Sequence, residues 1–122
     1  MSLDIWLTVP NPDACKSACE HCEVPKTLEV YSANVTHNLN RMAEVAGIYK
    51  VLWRGPENGI KKADDLIRPL SEGLWFLKNN PETCKKLNPD NGWGSYDAFV
   101  PWVERLLEAC RDNPQADVGV SR

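Results

Sequence analysis

Cysteine, histidine and asparagine offer the most chemistry in this 122-residue chain, and they gather in two short stretches. The first is Cys15-x3-Cys19-x2-Cys22, with His21 inside it. Cys19 and Cys22 make a knuckle for a soft metal, and Cys15 or His37 would add ligands to a tetrahedral nitrogen–sulfur zinc site. A closed structural zinc site takes four ligands, and the chain has no second knuckle. Without a metal, the same residues are reduced thiols in a loop. Cys84 and Cys110 stand apart from them, within apolar helical sequence.

The second stretch runs from Ser32 to Gly47, where Asn34, Thr36, His37 and Asn38 crowd together ahead of the apolar rhythm Leu39, Met42, Ala43, Ala46. That rhythm predicts a helix over about 37–46. Thr36 or Asn38 would cap its start, and Gly47 would end it in a left-handed conformation. Capping leaves His37 and Asn34 over. A helix start also presents free backbone N–H groups and a positive dipole end, which favour anions. We therefore expect a site for a polar small molecule at this strand-to-helix junction.

Arg54, directly after Trp53, and the turn Asn91-Gly92-Trp93-Gly94 would complete the site if the fold brings them there. They add a cation, amide groups and aromatic walls. The expected ligand-binding set is Asn34, Thr36, His37, Asn38, Trp53, Arg54, Asn91 and Trp93. The competing reading is that these residues only hold turns together. No catalytic residue is assigned. Cysteine, histidine and asparagine are all present, but linear order places none beside another as a nucleophile–base pair. The glycine spacings match neither the dinucleotide nor the P-loop pattern.

Composition narrows the partners. A formal net charge of −3 and the lack of a basic run argue against nucleic acid. No apolar stretch reaches the length of a bilayer span. The start, MSLDIWLTVP, lacks a basic region ahead of its apolar residues, so a signal peptide is not expected. The expected location is the cytoplasm, where five cysteines, an odd number, stay largely reduced.

The elements that must position these groups follow from periodicity. Leu3, Ile5, Leu7 and Val9 alternate with polar partners, which predicts a strand. Leu28 to Val35 predicts a second strand, able to return antiparallel to the first. Residues 48–53 are too short a run to classify, and 54–59 form a loop by composition. A helix is predicted over about 60–79, kinked or split by Pro69. Pro81 opens a short helical turn.

Ser95 then caps a helix to about Arg111, with Pro101 tolerated near its start. Ala116 to Arg122 alternates as a third strand. Among the tryptophans, Trp102 falls on the apolar stripe and is expected in the core. Trp75 is expected to be half-buried, and Trp53 and Trp93 adjoin loops. The result is one α+β domain over 1–122, about three antiparallel strands against about three helices.

Two resemblances follow from these motifs. ANVTHNL, LWR, NGWGSY and the VSR end, in this order, resemble a group of small uncharacterised proteins from bacteria and their phages. The resemblance covers the first strand and nearly everything from Leu28 onward, and it implies no activity. The Cys15, Cys19, Cys22 spacing resembles the iron–sulfur signature of radical SAM enzymes and likewise follows a strand. That family builds a large partial βα barrel, however, and its usual aromatic before the third cysteine is replaced here by His21.

Three functions are therefore carried forward. The leading one is a non-catalytic small-molecule-binding or regulatory protein. The second is a protein-interaction module with an acidic and aromatic face, such as a phage-encoded inhibitor of a host factor. The third is a metal-dependent enzyme holding zinc or an iron–sulfur cluster.

Overall fold

Alternating burial makes Ser2–Pro10 (β1) the middle strand of a three-stranded antiparallel sheet, between Thr27–Thr36 (β2) and Asp117–Ser121 (β3). The computed structural model describes residues 2–11, 26–92 and 94–122. Leu3, Ile5 and Leu7 point into the core, opposite Val35, Ala33 and Tyr31 of β2. Asp4, Trp6 and Thr8 occupy the other face by the two-residue period of a strand.

The pairing slips once. Leu7 faces Tyr31 but Thr8 faces Glu29, so Val30 is an extra residue in β2. Without this bulge, Glu29 would project towards the core. With it, Glu29 joins Asn34 and Ser32 on the outer face. A bulge commonly redirects a side chain in this way.

Helical segments cover the inner face. After β2 come a 3₁₀ turn, His37–Leu39, then Asn40–Val45 (α1) and Tyr49–Trp53 (α2). The run 48–53 is thus helical, and a second 3₁₀ turn, Pro56–Asn58, follows it. Asp64–Asn79 (α3), Pro81–Lys85 (α4) and Tyr96–Asp112 (α5) complete the layer. Leu66, Leu70 and Leu77 of α3 and Phe99, Val103 and Leu106 of α5 share one core with the inner residues of β1. Trp102 lies in that core, as expected, and its indole N–H donates to the Asn34 carbonyl at 2.9 Å, which ties α5 to β2. Gly73 lets α3 approach the Ala46–Ile48 bend closely. A Cβ there would collide with Ile48 Cγ2.

Three features differ from the sequence-based expectation. The predicted helix over 60–79 begins only at Asp64, because residues 61–64 are tied to the end of the chain. Ala63 N–H donates to the Ala116 carbonyl and Val118 N–H to the Lys61 carbonyl, both at about 2.8–2.9 Å. Asp65 Oδ2 accepts the Lys61 and Lys62 amides at 3.0 and 3.1 Å, and the Lys62 amide above all holds its carboxyl below the usual value.

Secondly, of the kink or split expected at Pro69, the split is excluded, because α3 is one helix through that residue. Proline sits at the sixth residue of α3, as Pro101 does in α5, where it forfeits the one amide donor that would bond the carbonyl four residues back, at the second residue of each helix. Thirdly, Trp75 is 66% exposed rather than half-buried. It falls off the Leu66–Leu70–Leu77 stripe, so the packing that buries Leu77 turns Trp75 outward.

Candidate functional site at the strand-to-helix junction

β2 hands over to helix at Thr36, whose extended backbone and Oγ1, accepting the Asn38 amide at 3.3 Å, make it the cap. His37 follows, half-buried, and its Nδ1 accepts the Trp53 indole N–H at 2.7 Å. In neutral His37 the proton therefore resides on Nε2, leaving that nitrogen as the donor. Trp53 is itself buried and stacks on Tyr49, with ring centroids 5.5 Å apart and planes at 18°. The aromatic beside the loop thus fills the core edge, and its one polar atom is satisfied by His37.

The turn before α5 is seated on this junction. Gly94 lies so close that a Cβ would stand 2.7 Å from Thr36 Cγ2 and 3.0 Å from Leu39 Cγ, and its φ of +97° suits glycine. Asn88 Oδ1 accepts the Tyr96 amide at 2.7 Å and closes the turn onto α5. Between the two segments lies an open hollow of about 280 Å³. Asn38 and Arg41 line one side, and Lys86 to Asp90 line the other. Two cations face one carboxylate, Asp90, and neither Arg41 nor Lys86 is in an ion pair among the described residues.

Two of the other expected site residues, Arg54 and Asn34, are placed away from the hollow. Arg54 pairs with Glu57 at 3.6 Å, and Arg122 approaches the same carboxylate at 3.9 Å. Asn34 turns to the outer face of the sheet, where its Nδ2 donates to Asp4 Oδ1 at 2.6 Å and Ser2 Oγ at 2.8 Å. Asn91 is exposed in the turn. Trp93, and the metal candidates Cys15, Cys19 and Cys22, lie outside the described residues.

Among the described residues no cluster of three or more histidine, cysteine or acidic side chains could hold a metal. Cys84 and Cys110 are buried free thiols. Burial raises both above the usual thiol value, Cys110 to about 11, which leaves them protonated and poor nucleophiles.

Sequence reasoning passed over Arg41, Lys86 and Asn88. Arg41 had a signal: it lies three residues after Asn38 and four after His37, on the same side of a helical path. Lys86 and Asn88 had none, because only the seating of Gly94 brings their segment to the junction. Among the described residues no helix is long and apolar enough to cross a membrane. Comparison of the chain with protein-family models, curated proteins and solved structures gives no match.

Proposed function

We propose that this is a non-catalytic binding or regulatory protein of the cytoplasm that takes a small, polar, anionic molecule in the junction hollow. The observation that supports it is the pairing of Arg41 from α1 with Lys86 from the segment after α4 across one concavity. Arg41 offers a planar fork suited to carboxylate or phosphate, and Lys86 a point charge. Asn38 adds an amide for orientation, and His37 fixes the turn that carries Asn38.

The test is a titration of isotope-labelled protein with inorganic phosphate, citrate and a nucleoside monophosphate. Amide shifts confined to Asn38, Arg41 and Lys86–Asp90 are expected for at least one probe, and Arg41→Ala with Lys86→Ala should remove them. Shifts scattered over the surface, or unchanged in the double variant, would overturn the proposal.

A second reading, as a protein-interaction module, draws support from Trp75. An exposed indole beside the Arg68–Glu72 pair is the kind of anchor that interfaces use.

A further inference from the structure

A second concavity lies on the opposite side of the molecule's sheet layer, on the face that the helices leave uncovered. It is an open groove of about 540 Å³ over β1 and β2, lined by Asp4, Trp6, Glu29, Ser32 and Asn34 above the Ile5 and Ala33 backbone. Three local departures from a plain sheet shape it. Gly119 of β3 stands directly opposite Trp6, and a Cβ there would collide with Trp6 Nε1, so the indole leans across β3. That lean opens the space on the β2 side.

The bulge at Val30 then delivers the Glu29 carboxylate to the same face. Finally, Asn34 donates to Asp4 Oδ1 and holds that carboxylate at the end of the groove. Both charged groups in the lining are acidic, and Asp4 and Glu29 are in no ion pair among the described residues.

We propose that this groove binds a guanidinium-bearing small molecule, its planar cation set against the Trp6 indole in the stretch of groove between the Asp4 and Glu29 carboxylates. The argument is charge complementarity together with shape. A planar, weakly hydrated cation gains from an aromatic face and from carboxylates in the ring plane at once, whereas an ammonium uses only one of these well. Ser32 and the remaining Asn34 oxygen supply acceptors for the rest of the ligand. The site is independent of the junction hollow, whose lining has the opposite charge.

Agmatine, with lysine methyl ester and glutamate as comparison probes, tests this in the full chain by following the Trp6 indole N–H resonance. Agmatine should shift that resonance and the Glu29–Asn34 amides, lysine methyl ester should do so more weakly, and glutamate should not. Glu29→Gln sits on the surface and should keep the parent melting temperature while weakening agmatine by about tenfold. Trp6→Phe should weaken it as well. The proposal is overturned if agmatine leaves the indole unmoved at millimolar concentration, or binds Glu29→Gln as tightly as the parent. It is also overturned if lysine methyl ester matches agmatine. Failure here leaves the phosphate and citrate titration unaffected, since that reads Asn38, Arg41 and Lys86.

Discussion

The Nδ1 of His37 accepts the indole N–H of Trp53 at 2.7 Å, and this one bond joins the turn after β2 to the end of α2. Trp53 is only 3% exposed, so its N–H has no easy substitute in water. A histidine that seemed free for ligand chemistry is engaged at one nitrogen in holding the site's frame.

Removing that acceptor should be costly. His37→Ala leaves a buried donor unsatisfied and is expected to lower stability by roughly 1–3 kcal/mol. His37→Gln keeps an acceptor and should recover part of the loss. Urea unfolding measures both, and the Trp53 indole proton resonance reports the bond directly. An unchanged midpoint in His37→Ala would show that water replaces the imidazole.

Gly94→Ala should disturb the junction from the other side. Its φ of +97° and the 2.7 Å approach to Thr36 Cγ2 leave no room for a methyl group. We expect a loss of about 1–3 kcal/mol, from strain and overpacking together. Amide shifts should spread through Thr36–Leu39, and any anion bound at Arg41 and Lys86 should be weakened. Gly92→Ala is the control: its φ of +75° carries the backbone strain, but nothing lies within 4 Å of the added methyl group.

Stability should fall at both ends of the pH scale. Cys110 is raised by burial from 9.0 to about 11, so its contribution is complete below pH 9.0 and is lost as pH rises towards 11. Tyr31 and Tyr96, raised chiefly by desolvation, add to the alkaline loss. Asp65 is lowered by the Lys62 and Lys61 amides, so its contribution is present above 3.8 and disappears as pH falls below it. Cys110→Ala should flatten the alkaline limb and Asp65→Asn the acid limb, both read from unfolding free energy against pH. Thiol reagents should leave Cys84 and Cys110 unmodified in the folded protein.

Trp75 should matter little to folding. Its side chain is 66% exposed, and Trp75→Ser is expected to change stability by no more than about 0.5 kcal/mol. Iodide quenching of the tryptophan fluorescence should drop in this variant. Trp53 and Trp102, buried, should contribute almost nothing to the quenched fraction. A large stability loss would mean that Trp75 packs against something in solution.

The sheet and the long helices were legible because each buries one face of a regular repeat. Leu3, Ile5 and Leu7 announce a strand by period two, and Phe99, Val103 and Leu106 announce α5 by period 3.6. Ser95 accepts the Ala98 amide at 3.2 Å, as its position before that helix implies. These are local signals, carried by neighbours in the chain, and they determined the α+β architecture before any contact was known.

The placement of functional side chains is a different matter. Whether Asn34 faces the hollow or the outer sheet depends on strand phase, and the direction of Glu29 depends on a one-residue bulge. Arg54 goes to Glu57, whereas Arg41 and Lys86 line one hollow between segments distant in sequence, beside the close approach of Gly94 to Thr36 and Leu39. Residue types and periods in the chain determined which groups exist and which faces are apolar. Tertiary packing alone decided which of them share a hollow, because that choice rests on close contacts between segments that no linear spacing encodes.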